Sequence, residues 1–131
     1  MQNFLVPIGR LFLSAIFLSS GFGKIFKFAG TQQYMEAKGM PIAALFLVFA
    51  IILEITGGLS VLLGYKTQWG ALALIIFLIP ATLIFHNQLS DQMQMIMFMK
   101  NVAILGGLFM VVSFGAGPLS LDNRSSSVKT E

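Results

Sequence analysis

Four long apolar segments, separated by short polar connections, constrain this chain more than any other feature. The hydrocarbon core of a bilayer is about 30 Å thick, and a helix needs about 20 predominantly apolar residues to cross it. Four segments meet this requirement, with edges expected to shift by a few residues: 4–26, 42–63, 69–85 and 95–114. The pattern predicts an integral membrane protein with four spans.

The apolar segments predict helices rather than the strands of a membrane barrel. Barrel strands are about ten residues long and alternate in polarity, whereas runs such as ALFLVFAIIL are continuously apolar. Arg10 lies inside the first segment, and Lys24 and Lys27 lie at its end and just after it, so we expect this segment to be retained rather than cleaved as a secretory signal. Only 10% of the residues are charged, so lipid must cover the surface.

The connections between the spans carry helix and turn signals. The first one, KFAGTQQYMEAKGMP, predicts a short interfacial helix. Thr31 suits its N-cap, Gly39 suits a left-handed end, and Pro41 suits the first turn of the second span. The connection 64–68 predicts a tight turn, so the second and third spans should be antiparallel neighbours.

The predicted fold is therefore an all-α membrane protein, a four-helix transmembrane bundle with a short interfacial helix between spans 1 and 2. We expect one transmembrane domain over residues 1–121 and a polar, disordered tail over residues 122–131. An even number of spans puts both termini on one side of the membrane. The basic residues divide almost equally between the two sides, and we place both termini in the cytoplasm.

Polar residues inside the spans are the candidate functional residues, because a buried charge in the bilayer usually faces a partner in the protein interior. Arg10 and Glu54 should reach similar depths in antiparallel helices, which predicts an Arg10–Glu54 ion pair. Toward the opposite face, Lys100 and Asn101 of the fourth span should approach His86 at the end of the third. These residues form the candidate ligand-binding set.

A purely structural interpretation stays open beside the functional one. The same polar groups could hold helices in register and reach toward the interface, and an interfacial position suits His86 best. Small residues at Gly57 and Gly58, and at Ala103 with Gly107, suit packing within the bundle and formation of a homo-oligomer equally well.

The composition excludes several classes of cofactor and partner. Without cysteine there is no disulfide, thiolate metal site or iron–sulfur cluster. A single histidine excludes bis-histidine haem ligation and leaves only a His/Met pair. The methionines at 93, 95, 97 and 99 could bind Cu(I), but on a helix alternate positions spread around the axis, as lipid contacts do. We expect no metal, no covalently bound cofactor and, without a basic patch, no nucleic acid.

Four segments carry a recognisable pattern in this order: RLFLSAIFLSSGFGKIFKFAG, KGMP, LEITGGLSVLLGYKTQWGA and KNVAILGGLFMVVSFGAGPLSLD. The elements of the pattern are Arg10, Gly21, Lys24, Glu54, Gly57, Gly58, Gly64, Lys100, Asn101 and the closing Ser120-Leu121-Asp122. In this combination the chain resembles the DoxX family of small bacterial membrane proteins over nearly its whole length up to Asp122.

The resemblance implies a four-helix bundle in the bacterial inner membrane and a part in redox work. Members of the family look like partners or subunits of redox enzymes, and one is related to the small subunit of a thiosulfate:quinone oxidoreductase. Others are associated with quinone or catechol stress and with oxidative stress. The resemblance implies no catalytic residue set, and the present chain lacks the extra soluble region of that dedicated subunit.

Three hypotheses follow. The leading one is a redox accessory protein that binds a quinone or related aromatic in a cavity lined by Arg10, Glu54, His86, Lys100 and Asn101, several of which can donate to quinone carbonyls. Electrons would come from a partner enzyme or a soluble reductant, and whether the chain is part of a membrane oxidoreductase stays open. The second hypothesis is a non-catalytic scaffold that recruits a redox enzyme. The third is a small proton-coupled transporter in which Glu54 cycles its proton.

Overall fold

The computed structural model describes residues 2–85 and 89–122 of the chain. Within these ranges the backbone forms five helices: α1 (Gln2–Phe26), α2 (Phe28–Ala37), α3 (Ala43–Leu63), α4 (Thr67–Phe85) and α5 (Gln92–Phe114). The described ranges contain no strand. The predicted all-α class and the short helix between the first two spans are confirmed.

The helices α1, α3, α4 and α5 are each long and apolar enough to cross a membrane. Their outward faces carry large apolar side chains, and Phe12, Trp69 and Phe114 are all more than 70% exposed. The bounds agree with the predicted spans to within a few residues. The largest difference is at α5, which begins early because the Asp91 carboxylate accepts a hydrogen bond from the Met93 backbone N–H at 3.0 Å and caps the helix.

Consecutive spans pack side by side, α1 on α3, α3 on α4 and α4 on α5, whereas α1 and α5 hardly touch. Short connections enforce this order, and Gly64 ends α3 in a left-handed conformation at φ +71°. The main core cluster contains the buried side chains of Phe17, Val61, Leu74 and Leu108. The bundle is therefore an antiparallel row of helices that curls without closing tightly between its first and last members.

Glycines let the central helices approach each other. A Cβ on Gly57 would lie 2.8 Å from Leu74 Cγ and 3.0 Å from the Gly70 carbonyl oxygen on α4. A Cβ on the adjacent Gly58 would lie 2.9 Å from a methyl group of Leu18 on α1. This pair of small residues is thus used for packing within the bundle, on two sides of α3 at once.

The first connection differs in detail from its prediction. Thr31 does not cap α2; its hydroxyl donates to the Lys27 carbonyl at 2.9 Å from inside the helix. α2 needs no side-chain cap, because the helical backbone hydrogen bonds continue from α1 into α2 and only the backbone of Lys27 departs from helical geometry. Gly39 is left-handed at φ +84°, as predicted. Pro41 does not open α3, because Ile42, at φ +50°, separates it from the helix.

Candidate functional site, a polar cavity inside the bundle

A cavity of about 350 Å³ lies at the end of the bundle that α2 covers. Side chains from all five helices line it, and most of its surface is apolar. The polar and charged side chains in its wall are Ser20, Lys24, Thr31, Tyr34, Glu54, Lys100 and Asn101. A mainly apolar space of this size with a few convergent polar groups is typical of small-molecule binding sites.

A buried ion pair is the main electrostatic feature of the cavity. Lys24 Nζ donates to Glu54 Oε1 at 2.8 Å, and the Glu54 side chain is 1% exposed. Lys24 also donates to Ser20 Oγ at 2.6 Å and lies 5.7 Å from the centre of the Phe77 ring. Because a buried carboxylate is costly without a counter-ion, Lys24 is what allows Glu54 to remain in the middle of α3.

The predicted Arg10–Glu54 ion pair is wrong. Side chains on a helix lean toward its N-terminus. In antiparallel α1 and α3, Lys24 and Glu54 therefore lean toward each other, while Arg10 leans away from Glu54 toward the far end of the bundle. Lys24 belongs to the same predicted stripe of α1 as Arg10, so periodicity identified the correct face of the helix but not the depth of the contact.

Arg10 instead caps the C-terminal end of α3. Its Nη1 donates to the carbonyls of Val61 and Leu62 at 3.2 and 3.1 Å, and its Nη2 donates to the carbonyl of Leu119. Carbonyls in the last turn of a helix lack partners within the helix and carry its negative dipole end, so a buried guanidinium satisfies them well. Arg10 is buried but does not line the cavity.

Asp122 caps the N-terminal end of α4, which follows α3 after the turn at Gly64. Its Oδ1 accepts from the Lys66 backbone N–H at 2.6 Å, and its Oδ2 accepts from the backbone N–H and hydroxyl of Thr67 at 2.9 and 2.7 Å. Its own N–H donates to the Gly64 carbonyl at 2.7 Å. Asp122, assigned above to the tail, thus contacts the bundle, whereas residues 123–131 lie outside the described residues.

The Asp122 carboxyl is held in its ionised form by these contacts. Burial raises the pKa of Asp122, but hydrogen bonds from Thr67 and Lys66 and the positive charge of Arg10 together outweigh it, so the net pKa lies below the ordinary value. Arg10 and Asp122 form one charged cluster at the end of the bundle opposite the cavity, with Gly64 between them. We call it the closing cluster.

On the cavity wall formed by α5, the two predicted residues have different surroundings. Asn101 Nδ2 donates to Thr82 Oγ1 at 2.9 Å, and Thr82 donates in turn to the Leu78 carbonyl at 2.7 Å, which fixes the amide. Lys100 Nζ lies 3.4 Å from Met97 Sδ and has no ion-pair partner in the described part of the chain. Its ammonium is therefore available to a ligand.

Of the predicted site residues, the cavity brings together Glu54, Lys100 and Asn101, and it excludes Arg10. His86 lies outside the described residues, so its place in the site stays a prediction. Sequence reasoning missed the role of Lys24, although its place on the polar stripe of α1 was a usable signal. It also missed Tyr34, which stacks on Phe85 at 5.6 Å between ring centres; no local pattern could have indicated this contact.

Four antiparallel spans around a mainly apolar cavity that holds an ion pair, with an interfacial helix over one end, define a multi-pass membrane protein with a ligand-sized internal site. The chain belongs to the DoxX family, whose model matches residues 5–87, and the resemblance inferred from the sequence is thereby confirmed.

Three similar proteins are 33–38% identical to this chain over the aligned residues. The inner membrane protein YqjF of Escherichia coli K12 is 38% identical over 117 residues, which cover 89% of this chain and 88% of the relative. The inner membrane protein YphA of the same organism is 33% identical over 125 residues, or 92% and 89%. The ER-derived vesicles protein ERV29 of Saccharomyces cerevisiae is 35% identical over 81 residues, or 58% and 26%. No solved structure matches the chain. The protein is thus a multi-pass protein of the inner membrane, surrounded by lipid.

Proposed function

We propose that this protein is a redox accessory protein that binds a quinone, or a related aromatic molecule, in the cavity between its helices. One observation carries the proposal: a mainly apolar cavity of about 350 Å³ inside the membrane bundle holds a buried Lys24–Glu54 ion pair. Charged groups are costly in a membrane interior and usually mark a ligand or ion pathway. A scaffold could use the ion pair to fix helix packing, but it would not need the cavity.

The lining suits a flat ring with polar atoms at its edge. Phe17, Phe77, Phe85 and Tyr34 offer aromatic surfaces on which a ring can stack or pack edge to face. Lys100 and Asn101 offer hydrogen-bond donors on the α5 wall. Arg10 is no longer part of the proposed site, because its donors are used on helix carbonyls.

The incomplete closure of the bundle supports access from the lipid. Ile16 of α1 and Ile104 of α5 both line the cavity, and their two helices hardly touch. A lipid-soluble molecule can therefore enter between them without unfolding a helix. Electrons for any reaction of the bound molecule would come from a partner enzyme or a soluble reductant, and we place both termini in the cytoplasm.

A non-catalytic scaffold that recruits a redox enzyme is the second candidate. It is favoured by the closing cluster, in which Arg10 and Asp122 bind backbone groups at the ends of α3 and α4 and at Leu119. The two candidates differ in what the cavity should contain. A scaffold needs no bound aromatic molecule, whereas the accessory protein does.

Mass spectrometry of small molecules extracted from gently purified protein separates the two. We expect a quinone or another aromatic to be enriched over background lipid in the wild type, and to be less enriched in Glu54→Gln protein that is still folded. Glu36→Gln makes the same chemical change on the exposed face of α2, outside the cavity, and should retain the molecule. A wild-type extract without any enriched aromatic would contradict the proposal and favour the scaffold.

A further inference from the structure

The two oxygens of the Glu54 carboxylate have different surroundings. Oε1 accepts the hydrogen bond from Lys24 at 2.8 Å. Oε2 is fully buried in a residue that lines the cavity, and no donor in the described part of the chain reaches it. The Ser20 hydroxyl lies near the carboxylate, but it does not make a hydrogen bond to Oε2. The wall of the cavity therefore contains an unsatisfied acceptor.

Lys24 does not supply a donor to Glu54 Oε2. Two of the three donors on its ammonium are used by Glu54 Oε1 and Ser20 Oγ, and the group lies over the ring of Phe77. One donor of the ammonium remains, but it does not reach Glu54 Oε2. Lys100 and Asn101 on α5 also line the cavity and carry hydrogen-bond donors.

An ionised carboxylate can only accept hydrogen bonds. A quinone carbonyl can also only accept, so its oxygen beside Oε2 would bring two lone pairs together. A phenolic hydroxyl can donate to Oε2, and a buried acceptor without a partner is costly enough for this difference to matter.

We infer that the cavity selects the reduced, hydroxyl-bearing form of its aromatic ligand, a hydroquinone or another phenol, over the oxidised quinone. One hydroxyl donates to Glu54 Oε2, and the opposite edge of the ring accepts from the α5 wall. The inference rests on the proposed function, because it requires an aromatic ligand in this cavity. It adds the redox state of that ligand, and it names Glu54 Oε2 as the atom that distinguishes the reduced from the oxidised form.

The test compares three compounds that share one ring and one short isoprenoid tail: a hydroquinone, its quinone and its dimethyl ether. Each is measured by equilibrium dialysis against the full-length protein in detergent, with oxygen excluded for the hydroquinone. Because a hydrogen bond to a charged group contributes strongly in a buried site, we expect the hydroquinone to bind at least about tenfold more tightly than the other two.

Two variants assign the preference to Glu54. Glutamine can donate as well as accept, so Glu54→Gln should lower the hydroquinone preference to within about twofold of equality. The exposed Glu36→Gln should keep the wild-type ratio. If Glu54→Gln does not fold, the three compounds on the wild-type protein still decide the question.

The outcomes separate the inference from the proposed function. Equal or tighter binding of the quinone, or equal binding of the dimethyl ether, overturns the inference and leaves an aromatic-binding site. If folded Glu54→Gln keeps the full preference for the hydroquinone, the inference is also overturned, because another group must then accept the hydrogen bond from the hydroxyl. No binding of any of the three compounds overturns both.

Discussion

At the scale of single residues, two inward-facing cations on one face of α1, the buried Arg10 and the partly buried Lys24, have separate tasks. Lys24 neutralises Glu54 beside the cavity, and Arg10 caps the end of α3 on the opposite side of the membrane. Both obey the rule that a charge inside a bilayer needs a partner. Only Lys24 and Glu54 line the cavity, so only this pair is part of the proposed site.

The closing cluster predicts loss of stability in acid. Since the pKa of Asp122 in the folded protein is below its unfolded value of about 3.9, the folded state binds the proton more weakly than the unfolded state. The stabilisation from Asp122 is thus complete above about pH 4 and is lost as the pH falls through the folded pKa. Thermal unfolding in detergent should show wild type more stable than Asp122→Asn at pH 7, with the difference shrinking below pH 4.

Asp91→Asn is a suitable control for this experiment, since Asp91 also caps a helix but has no contact with Arg10. The difference in stability between wild type and Asp91→Asn measures the loss of a helix cap outside the closing cluster. A gap between wild type and Asp122→Asn that stays constant down to pH 2.5 or so would contradict the assignment.

At the scale of helices, the faces that pack were predictable and the depths at which side chains meet were not. The apolar runs specified the spans, and Gly57 and Gly58 marked the packed side of α3 because small residues permit close approach. The partner of Glu54 depends on the relative height of α1 and α3 and on the lean of each side chain. Local periodicity contains neither quantity, which is why Arg10 was paired with Glu54 in error.

Alanine should have opposite effects on stability at two glycines, one at the contact between α3 and α4 and one on α5. Gly57→Ala should destabilise the bundle by about 1–3 kcal/mol, since the new methyl group would overlap Leu74 and the Gly70 carbonyl. Gly106→Ala on α5 places its methyl group where no other atom lies within 4 Å. It should be neutral or stabilising by up to about 1 kcal/mol, because alanine favours the helix. Unfolding by a denaturing detergent measures both.

Equal destabilisation by the two substitutions would show that α5 is packed at Gly106 against something beyond this chain, such as a second copy. Destabilisation by neither would mean that α3 and α4 can separate without cost. Either result would change the description of the bundle.

At the scale of the whole molecule, the proposed orientation predicts which ends are accessible. The native chain has no cysteine, so single cysteines can be introduced without background. In intact spheroplasts, a membrane-impermeant maleimide should label Gln33→Cys on the exposed face of α2 and should label Ser126→Cys only after the membrane is broken. The reverse pattern would put both termini outside.

The closing cluster also has a consequence for biosynthesis. Arg10 is synthesised before all of its partners, which follow at the end of α3 and, at Leu119, after α5. Asp122 follows Leu119 and joins the turn between α3 and α4. The closing cluster can therefore form only after all four spans have been synthesised.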